Sequence, residues 1–136
     1  MRLARVAAGV VALGAVTAAV PLASAQATTS KSEAVVKVVT RKPFGKMLAT
    51  LKGMSLYTTG ASCTGQCLKV WPPLLMASGK TMPTGTTGLS TAKLTVGTKH
   101  ELQVTYKGKR LYTFESDSGS SVNGNNVGGF KVAKVS

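Results

Sequence analysis

Apolar and polar side chains alternate along residues 102–106, with Leu102, Val104 and Tyr106 on one face and Gln103 and Thr105 on the other. A period of two marks a half-buried strand. Lys107-Gly108-Lys109 supplies a turn and residues 110–115 return. Upstream, residues 92–96 are a further strand candidate joined through Gly97-Thr98-Lys99, so a three-stranded meander is expected here. Earlier in the chain Met47, Ala49 and Leu51 alternate with Leu48 and Thr50, Lys52-Gly53 turns, and residues 55–59 return. Residues 35–40 form a short β-branched run broken by Pro43, and residues 130–135 alternate weakly, as a final pairing strand would. One helical stretch is expected, residues 62–71 around Cys63 and Cys67, with Ser62 as its cap and Pro72-Pro73 ending it. Residues 77–90 and 116–129 carry no period and read as surface loops.

The two hairpin patterns are copies of one another. Residues 48–59 recur as residues 103–114, with identities at Thr50/Thr105, Lys52/Lys107, Gly53/Gly108, Leu56/Leu111, Tyr57/Tyr112 and Thr58/Thr113, six in twelve gapless positions. Repetition of this kind decides the architecture. The expected fold is a small all-β domain over residues 35–136. It comprises two related β-hairpins (about 46–59 and 101–115), flanking strands, and one short helical turn near the cysteines.

The N-terminus reads differently. Arg2 and Arg5 precede an uncharged apolar run over residues 6–20, which Pro21 ends, and Ala23-Ser24-Ala25 fits a signal-peptidase site, with Ala25-Gln26-Ala27 as an alternative. Residues 1–25 are therefore expected to be a signal peptide and the protein to be secreted or extracytoplasmic. An uncleaved anchor is the competing reading, but the run falls short of the roughly 20 apolar residues that span a bilayer. No membrane span is expected after cleavage. The polar residues 26–34 read as a disordered lead-in.

Charge narrows the partners. Cleavage would remove Arg2 and Arg5 from the 17 basic residues, leaving 15 against 4 acids, a net charge of +11. Such a field favours polyanions, among them anionic cell-envelope polymers. It equally keeps a strand-rich protein soluble and guards its edges. Thirteen of the 15 bases are Lys, without the interleaved Arg and aromatic residues of nucleic-acid binders, which argues against nucleic acid.

Cys63 and Cys67 are the only cysteines, and an even count in an exported chain favours a disulfide. Closing so small a loop contributes about 2 kcal/mol on the chain-entropy model. A redox-active pair is the sharper alternative, but the spacing is not Cys-x-x-Cys. His100, the only His, does not complete a zinc set. Other chemistry is thin. His100 and Glu101 are adjacent on a strand and point to opposite faces. Glu115 and Asp117 precede a Gly/Ser loop with a single acid, which lacks the order of a calcium loop. Ser90-Thr91-Ala92-Lys93 matches a Ser-x-x-Lys nucleophile without its companion motifs. Met47, Met54, Met76 and Met82 are scattered and suit core filling better than copper. No cofactor, metal or catalytic residue is expected.

Leu111-Tyr112-Thr113-Phe114-Glu115-Ser116-Asp117 fits Tyr-x-(Phe/Trp/Tyr)-x-x-Asp. Together with Lys52-Gly53-Met54-Ser55-Leu56-Tyr57-Thr58, the Cys63–Cys67 segment and Trp71-Pro72-Pro73-Leu74, it resembles the bacterial secreted-repeat family, predicted lipoproteins bearing that motif. The resemblance runs from about Phe44 to the C-terminus and implies an envelope location, but no activity. This chain lacks a lipid-accepting Cys near its cleavage site, and its first copy has lost the aromatic and Asp positions. Tyr112, Phe114 and Asp117 are expected to be a folding element. The functional expectation is an exported, non-enzymatic, envelope-associated binding or structural protein. The alternative is a redox or metal-handling factor using Cys63 and Cys67.

Overall fold

The computed structural model describes residues 30–136, so the signal-peptide reading of residues 1–25 and the first part of the lead-in lie outside the described residues. The chain from Lys31 to Ser136 is mostly β: β1 (Ser32–Ala34), β2 (Val36–Arg41), β3 (Gly45–Thr50), β4 (Tyr57–Thr59), the single helical turn α1 (Cys67–Val70), β5 (Met82–Thr84), β6 (Leu89–Val96), β7 (Lys99–Tyr106), β8 (Lys109–Arg110) and β9 (Phe130–Val132). β6, β7 and β8 form the expected meander, in that order.

The two copies are wired into each other. Tyr57 and Tyr112, equivalent residues of the repeat, exchange backbone hydrogen bonds of 2.8 and 2.9 Å. A reciprocal antiparallel pair of equivalent residues places a local two-fold axis between them. On either side lies the segment that follows the opposite copy. Val132 pairs with Tyr57, and Pro73 pairs with Tyr112. Ala133 donates to the Leu56 carbonyl and accepts from the Leu48 N–H, as Leu74 donates to the Leu111 carbonyl and accepts from the Val104 N–H. Each return segment (residues 71–76 and 130–135) thus completes the hairpin of the other copy. Pairing runs continuously from β2 through β3, β9, β4, residues 111–113, residues 73–75 and β7 to β6.

The copies differ where their turns differ. Lys107 and Gly108 both have positive φ (49° and 83°), the signature of a two-residue hairpin turn, whereas only Gly53 (φ 96°) does so in the first copy. There residues 51–53 bulge between Thr50 and Met54, with the Thr50 N–H bonded to the Met54 carbonyl. The extra residue slides the leading strand by one position, so Leu56 bonds back to Leu48 while Leu111 bonds back to Val104, the counterpart of Ala49.

Alternation along these strands sends successive side chains to two cores. One gathers Val36, Leu48, Leu56, Val104, Leu111 and Ala133; the other gathers Met47, Tyr57, Trp71, Tyr112, Phe114 and Phe130. Several expectations need correction. Residues 32–34, read as part of a disordered lead-in, form β1, which pairs in parallel with β5 inside the stretch expected to be a loop. Main-chain pairing of a polar segment leaves no hydrophobic trace in the sequence. The helix is one turn, not residues 62–71, and Gln66, not Ser62, stands at its cap without a side-chain bond. Tyr112 and Phe114, which a strand over residues 110–115 would set on one face to pack with Leu102, Val104 and Tyr106, pack instead in the aromatic core.

Candidate functional site

Trp71 and Phe130, equivalent residues of the two return segments, stack on the two-fold axis with centroids 3.8 Å apart and planes 7° apart. Each meets the tyrosine of the other side edge-on: Tyr57–Trp71 at 5.4 Å and 74°, Tyr112–Phe130 at 5.3 Å and 89°. The near-equality of these two contacts carries the two-fold relation from the backbone into the side chains. Phe114 stacks on the free side of Trp71 at 4.4 Å.

Asp117 is almost buried (8% exposed) and binds across the axis. Its Oδ2 accepts a 2.6 Å hydrogen bond from the Tyr57 hydroxyl, and its Oδ1 accepts from the Asn123 N–H at 2.8 Å and the Ser121 hydroxyl at 3.2 Å. The Tyr57 oxygen in turn accepts from the Gly124 N–H at 3.1 Å. Glycine is required there, because a Cβ would lie 2.8 Å from Trp71 Cη2 and 3.0 Å from Tyr57 Cζ. The network extends through Ser55, whose hydroxyl donates to the Ser121 carbonyl at 2.8 Å and accepts from Arg41 at 2.7 Å. Residues 115–129 are thereby fastened over Tyr57. The motif's Asp serves the tyrosine of the first copy, not Tyr112 of its own.

Burial, followed by the hydrogen bond to Asp117, pushes the Tyr57 phenol well above its ordinary value. A group whose folded pKa is raised contributes stability present below its unfolded value, about 10, and lost as pH climbs through the folded one. The Tyr57 phenolate signal, assigned by its loss in Tyr57→Phe, should therefore emerge only with alkaline unfolding and not near pH 10. A Tyr57 signal that titrates near pH 10 in the folded protein would contradict the buried network.

On the other side of the axis, residues 60–70 run past Tyr112, and Cys63 and Cys67 are joined by a disulfide with Cα atoms 5.2 Å apart. Cys63 is buried in the aromatic core and Cys67 is half-buried against it. A half-open cavity of about 340 Å³ lies beside this loop, between residues 60–64, Leu94, Arg110 and Tyr112. The Arg110 guanidinium is held by Gln103 Oε1 and the Lys93 carbonyl, both at 2.8 Å.

The remaining candidates stay apart. His100 and Glu101 are adjacent at the start of β7 and border two shallow cavities of about 270 and 380 Å³; the His100 Nδ1 lies 3.2 Å from the Thr95 hydroxyl. Met47 and Met76 are buried and Met82 is exposed. Among the described residues no group of three His, Cys, Asp or Glu side chains is placed to hold a metal ion, and no helix is long and apolar enough to cross a membrane. Sequence reasoning passed over Tyr57 and Gly124 as site residues, although the repeat offset pointed to Tyr57 as the counterpart of Tyr112. No family model, curated protein or solved structure matches the chain.

Proposed function

We propose that this is an exported, non-enzymatic, envelope-associated protein that binds anionic envelope polymer, and that it belongs with the secreted-repeat proteins its motifs resemble. The observation that carries this reading is the disposition of charge. Twelve of the thirteen lysines from Lys31 onward are exposed, whereas Asp117, one of only four acids, is buried and committed to Tyr57. Lys107, Lys109 and Lys134 converge on one shallow cavity of about 200 Å³ that no carboxylate side chain lines. The Asp117 carboxylate is taken up in holding residues 115–129. The competing redox use of Cys63 and Cys67 has less support, because Cys63 is 6% exposed, which leaves only the half-buried Cys67 open to thiol exchange.

Exposed charges attract through a field that salt screens, with a Debye length of about 10 Å at 0.1 M. The purified protein should be retained on immobilised anionic wall polymer at low salt and released as salt rises toward 0.5 M or so. Lys107→Gln/Lys109→Gln/Lys134→Gln should elute at clearly lower salt than a triple replacement elsewhere on the surface. Failure to be retained on wall polymer or heparin at low salt would reduce the lysines to a solubility device.

A further inference from the structure

The two-fold relation makes the first half of the molecule a template for the second, and one element has no counterpart. Carrying the Tyr57 surroundings across the axis by the repeat offset sends Tyr57 to Tyr112, Ser55 to Arg110 and Asp117 back to Ser62. Around Tyr57, the fifteen residues 115–129 deliver a carboxylate to the hydroxyl and fill the space above it. Around Tyr112, the crossing loop has only eleven residues, 60–70, and Ser62 at the carboxylate's position is exposed. Tyr112 is 3% exposed, and no group of the described residues is hydrogen-bonded to its hydroxyl. A buried unpaired hydroxyl costs free energy and asks for an explanation. The half-open cavity of about 340 Å³ bordered by Tyr112 lies where the missing carboxylate and its loop would be.

We propose that this cavity binds a small hydroxylated carboxylate of uronic-acid type, whose carboxylate takes from Tyr112 the hydrogen bond that Asp117 takes from Tyr57. Arg110 stands where Ser55 stands on the other side, and supplies a positive charge that no carboxylate of the described residues neutralises. Its two bonds, to Gln103 and the Lys93 carbonyl, fix the guanidinium in place and leave further N–H donors. The Ser62 and Thr64 hydroxyls at the mouth suit ligand hydroxyls, and Leu94 provides an apolar wall for a sugar-ring face. The volume is at the small end of ligand pockets, enough for one ring and no more. This site is separate from the lysine surface and does not depend on it.

Backbone amide shifts of the purified protein titrated with glucuronate test the proposal, with glucose as the neutral control. Glucuronate should move the amides of residues 60–64, Leu94 and Arg110, and glucose should not. Tyr112→Phe should weaken glucuronate about tenfold or more, the usual loss of a hydrogen bond to a charged group, while leaving the melting temperature unchanged or raised. Arg110→Gln should weaken it comparably, and Lys131→Gln should not. Equal binding of glucose, glucuronate shifts confined to the lysine surface, unchanged affinity in Tyr112→Phe, or absence of shifts at tens of millimolar or so would each overturn the assignment. So would a drop in melting temperature in Tyr112→Phe like that in Tyr57→Phe, because the hydroxyl would then already have a partner.

Discussion

Trp71→Ala should destabilise the domain by about 3–5 kcal/mol and lower its melting temperature by more than about 12 °C. The indole is stacked between Phe130 and Phe114 and meets Tyr57 edge-on, so its loss opens a cavity bounded by three rings that other contacts hold in place. Cavities that cannot collapse carry the highest costs. Phe114→Ala removes a ring from one side of the stack only, at a position 9% exposed, and should fall at the lower end of the same range. Urea unfolding of both variants checks the order. A loss under about 1 kcal/mol for Trp71→Ala would mean that the aromatic stack is not the centre of the core.

Asp117→Ala should cost on the order of 3 kcal/mol, since it strands the Tyr57 hydroxyl as a donor and leaves the Asn123 N–H without an acceptor, at about 1–3 kcal/mol for each. Asp117→Asn, which keeps one carbonyl oxygen, should lie between wild type and alanine. Because Tyr57 and Asp117 act on the same bond, the double variant Tyr57→Phe/Asp117→Ala should lose much less than the sum of the singles. Additive losses in that cycle would separate the two residues. Intact stability of Asp117→Ala with loss of polymer binding would turn the motif into a binding site.

How far the sequence reached is clear from individual residues. Leu102 to Tyr106 and the Lys107-Gly108 turn were legible because alternation and turn chemistry are local. The offset of 55 between the hairpins was legible for the same reason. The return segments were not. Trp71 and Phe130 stand 59 positions apart, not 55, because the intervening loops differ by four residues, and after the aromatic pair the two segments share no identity. A gapless comparison stops at Thr59 and Phe114, just before the part that exchanges partners. Asp117 was visible as a motif residue, but its bond to Tyr57 spans sixty positions, and nothing nearby in the chain distinguishes that tyrosine from Tyr112. β1 and β5 were hidden because Ser32–Ala34 pairs with β5 through its main chain, which leaves the apolar pattern of its side chains free to vary.

The exchange of return segments also governs when the protein can fold during its synthesis. The first hairpin is complete by Thr59, yet the strand that lies beside it is residues 130–135, made long after it. Among the described residues both cores draw on residues 130–133, so neither is complete before that segment is made. Long-range pairing of this kind also slows closure, because distant ends must meet before any contact rewards them. On the export proposed above, such late closure would keep the chain open for passage until residues 130–135 can complete the first hairpin.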